Sequence, residues 1–425
     1  MRQKLLFHPE ALSPDRLRKL ETFFDTLNLQ GIERPRSRGR RPTDKISILR
    51  TLIFKNLRGL PTLTDLVTEL LERPSLAYIL GFEPGIIPPV ERFSHFLRNE
   101  DNKALQRIRE NLVKRLISSG EIKGSYLSLD ACPIKANVKE NNLKTNVKDR
   151  FNKKNIPQGD PDARLGVFAI FPGSKKKIQY FWGYRNHTII DATTEVPLVE
   201  ITKPANVHGS TLAVQGLRYV KEMLGLNPKA VIGDSEFDSS PILEYILDEM
   251  RAKPVIAKNP RGIAPSTTKL SPKGVPICIA GFEMKSRGVF YDRIEKRRRH
   301  KFICPIRASK KFAKKHPYCP WFHPKFTQGS GCYRYIRVDV DDRIRYRIDY
   351  GSEEFKRIYN LRTSSERVFS RLLSVLMQEP TVKGLTSTAN SCTIAHITVL
   401  AVAYFATVVK ERDKIRFVKS FIQNF

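Results

Sequence analysis

KGSYLSLDACPIKAN, residues 123–137, is the stretch from which the fold of this chain can be read. Within it, Tyr126-Leu127-Ser128-Leu129-Asp130 alternates apolar and aromatic residues with small ones after the break at Gly124. That pattern predicts a short strand ending on a carboxylate with no basic neighbour in sequence. A buried strand that carries an aspartate to its end is how α/β proteins put chemistry at the edge of a rigid sheet. The plainer reading is an aspartate capping the next loop, because Asp is common where strands turn. The stretch taken alone favours the plainer reading.

Downstream, a polar, Asn- and Lys-rich segment predicts a loop to about residue 161. Strands are expected at 166–171, 177–183, 187–191 and 196–201. The apolar period then lengthens, predicting a helix over 210–224, a strand over 229–233, a helix over 241–251 and a strand over 254–257. The strand over 229–233 ends on Gly233 and Asp234, which repeats the arrangement around Asp130. Carboxylates at the ends of two strands of one sheet can be neighbours in space. They then repel and shift each other's pKa unless a cation lies between them. Hard oxygen donors of this kind suit Mg²⁺ or Mn²⁺.

The chain has 425 residues, 40% of them hydrophobic and 28% charged, enough for a full core and two or three domains. Its net charge of +32 is spread along the whole length and points to a polyanionic partner, most simply nucleic acid. Six cysteines in so long a chain do not make a disulfide framework. No window has the unbroken apolar length of a membrane span; residues 394–409, with His396 and Tyr404, read as a core helix. The first residues have too short an apolar core for a signal peptide, so a cytoplasmic protein is expected.

Residues 1–120 read as a helical, basic front end. A helix is expected from Ser13 to about Leu29, followed by ERPRSRGRRP, residues 33–42. Arg34, Arg36, Arg38, Arg40 and Arg41 there read equally as a solvated linker or as an arm for a DNA minor groove. Thr43-Asp44 can cap a helix carrying Ile46, Leu49, Ile53 and Leu57, and Gly59-Leu60-Pro61-Thr62 stops it and caps the next, at 63–72. The pair weakly resembles a helix-turn-helix. Further helices are expected at 75–80, 89–98 and 102–118, with Phe93 and Phe96 as core residues.

Over residues 261–350 the α/β rhythm gives way to short strand-like runs, predicting a β-rich insertion. Lys296, Arg297, Arg298, Arg299 and Lys301 are its densest basic cluster and are expected to add to a nucleic-acid surface. Cys304, His316, Cys319, His323 and Cys332 can be read as zinc ligands, but they lack the paired close spacings usual in structural zinc sites, and the spacing argues against zinc. In residues 351–425 the run RIYNLRTSSERVFSRLLSVL predicts a helix. Tyr359, Arg362 and Glu366 share one stripe of it, with Leu361, Val368, Leu372 and Val375 facing the core. Spacing alone makes Arg362 and Glu366 an ordinary surface pair.

Taken as an ordered set, these motifs resemble the DDE transposases of bacterial insertion sequences. LDACPIKAN (129–137) resembles the motif around the first aspartate, and IGDSEFDS (232–239) that around the second. GYRNHTIIDATTEVPLVEITKPANVHGST (183–211) resembles the strand pair and helix start between them. Tyr359, Arg362 and Glu366 resemble the Y-R-E-K signature of the third carboxylate. RRPTDKISILRTLIFKNLRGL (40–60) with LVTELLERPSLAYILGF (66–82) resembles the N-terminal helical domain. The signature's lysine would fall at Leu373, a departure that concerns one DNA contact rather than the metal site.

The resemblance implies an α/β ribonuclease H-like catalytic domain, a mixed sheet flanked by helices, with an all-α N-terminal domain and a β-rich insertion before the last catalytic helix. The expected organisation is 1–120 for DNA binding or dimerisation, 121–260 and 351–425 for catalysis, and 261–350 for the insertion. It implies cleavage of transposon ends and joining of the 3′ ends to target DNA, with Asp130, Asp234 and Glu366 holding two Mg²⁺ or Mn²⁺ ions. Tyr359, Arg362, Arg38, Arg40, Arg41, Arg297 and Arg298 would contact DNA. The partners would be duplex terminal inverted repeats and target DNA, bound by a homodimer at the nucleoid. His187 and His208 read as structural or near-site residues, not ligands. The alternatives are a DNA-binding derivative that no longer cuts, which Leu373 would favour, and another ribonuclease H-like nuclease.

Overall fold

The computed structural model describes residues 15–27, 29, 32, 43–83, 85–170, 177–259, 270–271, 275–295, 297–321, 331–337, 344, 347–378 and 380–418. Arg34, Arg36, Arg38, Arg40, Arg41 and His323 lie outside them.

Six helices come first: α1 (Asp15–Thr26), α2 (Lys45–Arg58), α3 (Leu63–Glu72), α4 (Pro74–Ile79), α5 (Val90–Asn99) and α6 (Asn102–Ser118). Local chemistry sets their ends. The Asp44 side chain accepts from the Ser47 N–H to start α2, and Gly59 stops it at φ 64°, where a side chain would be strained. Thr62 and Asp65 then form a reciprocal capping box for α3.

The main sheet follows: β1 (Tyr126–Lys135), β2 (Arg164–Ile170), β3 (Lys177–Asp191), β4 (Val196–Pro204), α7 (Gly209–Glu222), β5 (Ala230–Gly233), α8 (Ser240–Glu244, running on as a π turn to Glu249) and β6 (Lys253–Ile256). Across its centre the order is β4-β3-β1-β5-β6. The β4/β3/β1 pairings are antiparallel and the β1/β5/β6 pairings parallel. This is the ribonuclease H-like arrangement.

Two expectations are corrected here. The strands expected at 177–183 and 187–191 are one strand, β3, whose first half pairs with β2 and whose second half lies between β1 and β4. Gly183 makes the continuity possible, because a Cβ there would meet the Ile134 carbonyl oxygen at 2.1 Å. The strand expected to stop at Asp130 runs on to Lys135, because its antiparallel pairing with β3 outlasts its parallel pairing with β5.

The insertion holds β7 (Lys285–Asp292), β8 (Arg297–Ile303), α9 (Pro305–Ala308), α10 (Lys310–Lys315) and β9 (Tyr333–Arg337), with β7, β8 and β9 forming a separate antiparallel sheet. The chain ends in α11 (Glu353–Tyr359), a 3₁₀ turn (Asn360–Arg362), α12 (Thr363–Ser374) and α13 (Leu385–Val408). The single helix expected around Tyr359–Glu366 is therefore broken by a 3₁₀ turn.

Among the described residues α13 alone is long and apolar enough to cross a membrane, yet 78% of its most apolar window is buried within the protein. A helix apolar all round is a core helix when other elements surround it. Here α2, α5 and α6 on one side and β4 on the other cover α13, and one apolar cluster runs from Leu20 to Val418.

Buried polar residues fix how α13 sits. Glu200 on β4 accepts from Asn186 at 2.6 Å, from Thr393 at 2.6 Å and from Gln106. His396 Nε2 meets Asn186 Oδ1 at 2.9 Å. Beside them the buried Arg109 guanidinium donates to Gln106 and to the Leu198 carbonyl, with Glu200 as the nearby countercharge. Removing that countercharge leaves a buried cation uncompensated. Glu200→Leu should therefore cost roughly 3–5 kcal/mol in urea unfolding, whereas Arg109→Met with Glu200→Leu together should cost far less than the sum of the two single changes. Simple additivity of the two would show that they do not act as a pair.

Candidate active site

Parallel pairing of β1 with β5 ends at Leu129 and Gly233, so Asp130 and Asp234 are the next residues on adjacent strands. Leu127 and Leu129 enter the core on one face of β1, while Ser128 and Asp130 share the other. Over that second face lies α12. The fully buried hydroxyls of Ser128 and Ser365 hydrogen-bond at 2.7 Å, which fixes α12 against β1 one residue before Glu366.

A second set of contacts holds the helix from its other side. Glu195, at the β3–β4 turn, accepts from Arg367 at 2.8 Å and from Arg371 at 3.3 Å. The burial of Arg371 and its bond to Glu195 explain why it does not replace the signature's lysine. Leu373, at the expected lysine position, is exposed.

Two of the three acidic side chains lie against one guanidinium, whose charge also reaches Asp234. Arg362 NH2 donates to Glu366 Oε1 at 2.7 Å, and its NH1 lies 3.9 Å from Asp130 Oδ2. Asp130 also accepts the Ala131 N–H at 2.8 Å, and Asp234 accepts the Glu236 N–H at 2.8 Å. Burial pushes the Asp130 carboxyl up to about 7. The Ala131 N–H opposes the shift, the Asp234 charge adds to it, Arg362 opposes it and Glu366 adds to it. Asp234 is raised for the same first reason, with the Glu236 charge adding to it and the Glu236 N–H, Arg362 and Arg185 pulling it back. Tyr359 stacks on Phe355 at 6.0 Å and packs against Ala230, Ile232 and Val255. Arg298 lies on the exposed sheet of the insertion, well along the chain from this cluster.

Hard carboxylate oxygens on two adjacent strands, with a third on a helix already bound to a cation, fit a divalent ion in donor chemistry. Among the described residues no three His, Cys, Asp or Glu side chains are grouped so as to hold a metal ion. The exposed Glu366 would have to exchange Arg362 for the ion.

Sequence reasoning missed three contributors. Glu236, inside the second motif, accepts the Gly209 N–H at 2.8 Å and pairs with Arg185 at 3.4 Å, tying the start of α7 to Asp234. Ser128 and Ser365 carry no motif. The fourth place belongs to His187, seen only as a near-site residue. Its two ring nitrogens are buried without a hydrogen-bond partner. It shares with Asp130, Gly209 and Phe237 the lining of a cavity of about 20 Å³, room for one water. Burial lowers its pKa to about 4, so it is neutral at physiological pH. His208 is exposed, 3.7 Å from Glu236.

A family model described as the transposase DDE domain matches residues 166–403, which spans Asp234 and Glu366 and begins after Asp130. Another, described as a transposase domain, matches residues 7–102. No curated protein matches the chain. Among solved structures it is similar to the chain in the cryo-EM structure of the piggyBac transposase synaptic complex with hairpin DNA. The TM-score is 0.40 and the identity 11%, covering 100% of this chain and 80% of that one.

A carboxyl raised on folding binds its proton more tightly in the native state than in the unfolded one. Stability therefore falls as pH climbs from the ordinary aspartate value of 3.8 to the Asp130 value of about 7, and levels off above it. In chelator-treated protein, Asp130→Asn should remove this slope. Its thermal midpoint should exceed that of the wild type by more above the Asp130 value than below the ordinary one. A gap that stays constant with pH would acquit Asp130 as the source.

Proposed function

The chain belongs to the transposase family defined by the DDE domain, and from that premise we propose that Asp130, Asp234 and Glu366 are its catalytic carboxylates. It is a DNA transposase of the insertion-sequence type. The observation that supports the proposal is that Asp130 and Asp234 follow paired positions on neighbouring strands while Arg362 links Asp130 to Glu366. Asp130, Asp234 and Glu366 would hold Mg²⁺ or Mn²⁺. Two such ions, when bound, supply Lewis-acid stabilisation of the attacking and leaving oxygens in an in-line displacement at phosphorus.

The residues of the chain do the rest. Asp130 and Asp234 are set by the backbone of adjacent strands and cannot drift apart. Glu366 lies in the first turn of α12, where a carboxylate is favoured by the helix dipole. Arg362, released from Glu366, is placed to grip a phosphate, and Tyr359 supports its turn from below. The reaction proposed is hydrolysis at the transposon ends, then attack of the freed 3′ hydroxyls on target DNA. Two ends cut together require two chains, hence a homodimer on DNA.

Affinity would come from the basic surface. On the insertion sheet Arg299 stands 5.6 Å over the ring of Tyr335 and Lys301 stands 5.8 Å over Tyr333, and Arg298 is exposed beside them. Arg297, Arg298, Arg38, Arg40 and Arg41 are proposed as phosphate contacts.

The exposed Leu373 favours a second reading, a chain that binds ends and cuts them poorly. Donor cleavage by the wild type in Mg²⁺ decides between the two. Asp130→Asn, Asp234→Asn and Glu366→Gln should each reduce cleavage to background while end binding persists, and a variant that still cuts removes its residue from the set. Replacing Arg297 and Arg298 by Ala should lower the slope of log affinity against log salt by about 0.9 per lost phosphate contact. An unchanged slope would take the insertion off the DNA.

A further inference from the structure

Among its described residues the insertion has little to hold it together. Every residue of β7 except its last is exposed, and the buried Met284, Phe302, Ile303 and Ile306 stand outside the main apolar cluster. A module of this size with so small a core needs a further constraint, and in nature that is commonly a disulfide or a metal. The structure forms no disulfide: all six cysteines are free. Four of the six, Cys278, Cys304, Cys319 and Cys332, belong to this module.

The backbone gathers three of those four at one end of its sheet. Ile303 is the last residue of β8 and pairs with both Lys285 at the start of β7 and Tyr333 at the start of β9. Cys304 and Cys332 flank that end and are joined directly, Cys304 N–H donating to the Cys332 carbonyl at 2.7 Å. Just before β7, Cys278 heads a tight turn. Its N–H donates to the Phe282 carbonyl at 2.8 Å, its carbonyl accepts from Gly281 at 2.9 Å, and Gly281 has the left-handed φ of 81° that such a turn requires.

Cys319 is brought in by aromatic packing. The Phe282 ring that closes the Cys278 turn lies 4.7 Å from the His316 ring and 5.4 Å from the Phe312 ring, and Cys319 is the third residue after His316. The electrostatics agree with this placement. The Cys332 thiol is held above its ordinary value by burial first and then by the nearness of Cys304, Cys319 and Cys278.

We propose that Cys278, Cys304, Cys319 and Cys332 form a structural zinc site that staples the inserted module. Four thiolates are the usual closed set for a tetrahedral structural zinc, with sulfurs about 2.3 Å from the ion. Each thiol that binds loses its proton to solvent. As placed, no three of the thiols form a complete shell, so the shell closes by rotation of the Cys side chains as the ion enters. His316 is not assigned as a ligand, because its ring is occupied between Phe282 and Phe312. The spacing argument against zinc weighed only ligands paired along the chain; the proposed ligands would pair across strands and a turn, and Cys278 precedes the stretch where a motif was sought.

The test is metal analysis of the full-length chain expressed in zinc-supplemented medium and dialysed against a mild chelator. One equivalent of zinc per chain is expected to remain, and cobalt in its place should show the sulfur-to-metal charge-transfer band and visible bands of a tetrahedral thiolate site. Cys278→Ser and Cys332→Ser should each lose most of the metal, whereas Cys392→Ala in α13 and Asp130→Asn should keep it. Should a serine variant fail to fold, thiol titration of the native wild type gives an independent reading: four thiols should be protected with zinc bound and become reactive when a strong chelator strips it. The proposal is overturned if the dialysed protein holds no stoichiometric zinc, if the cobalt form lacks thiolate bands, if Cys278→Ser retains its zinc, or if the cysteines prove to be disulfide-linked. It is also overturned if stripping zinc leaves thiol reactivity unchanged. None of these outcomes depends on whether the chain cleaves DNA.

Discussion

Three carboxylates cannot share a partly buried site without a cation among them. Each added charge raises the cost of ionising the next, and burial raises it for all of them. In this structure Arg362 supplies the positive charge, in contact with Glu366 and within reach of Asp130. The arrangement still leaves Asp130 raised to about 7, by burial first and by the Asp234 charge after it, so one guanidinium does not offset both. A cation of higher charge, held there as proposed, would offset them further. Everything else in the catalytic half serves to keep the acids close despite their repulsion.

The restraint is built in layers. Adjacent parallel strands hold Asp130 and Asp234, and backbone N–H groups of Ala131 and Glu236 fix the two carboxylates. Ser128 and Ser365 lock α12 onto β1 through two hydroxyls that have no access to water. Glu195, at φ 59° in a region side chains seldom occupy, accepts from Arg367 and Arg371 and holds the far side of the same helix. The cost of that backbone conformation is offset by the ion pairs it makes possible. Behind the sheet, α13 and the Glu200 network join the N-terminal helices to β3 and β4 through one core. The helical front end is thus packed into the catalytic unit rather than tethered to it.

Much of this was legible in the amino-acid order because it depends on local periodicity. The caps at Asp44 and Thr62, the stripe of α6 and the buried strands β1, β5 and β6 follow from short-range pattern and side-chain chemistry. What could not be read depends on partners distant in sequence. The split expected in β3 fell on Tyr184, Arg185 and Asn186, in mid-strand. Asn186 is buried there only because Glu200, Thr202 and His396 satisfy it. Ser128 and Ser365 look like filler until they are brought together across 237 positions. The residue pattern ended the strand at Asp130; the parallel pairing with β5 does end there, but β1 itself continues along β3.

The 3₁₀ turn between α11 and α12 brings these points to bear on the chemistry. A continuous α-helix would carry Arg362 and Glu366 as an exposed pair of little consequence. Tightening the chain over Asn360–Arg362 instead lets Ile358 and Tyr359 pack beneath the sheet while Arg362 points toward Asp130. In the proposed role, the same guanidinium that quiets the acids would serve an incoming phosphate. If Glu366 passed from Arg362 to a bound ion, that guanidinium would be free for the anion, and metal occupancy and backbone capture would favour each other by linkage. A lysine in the place of Arg362 would lack the planar fork that reaches Glu366 and Asp130 from one side chain, and would not couple the two events in this way.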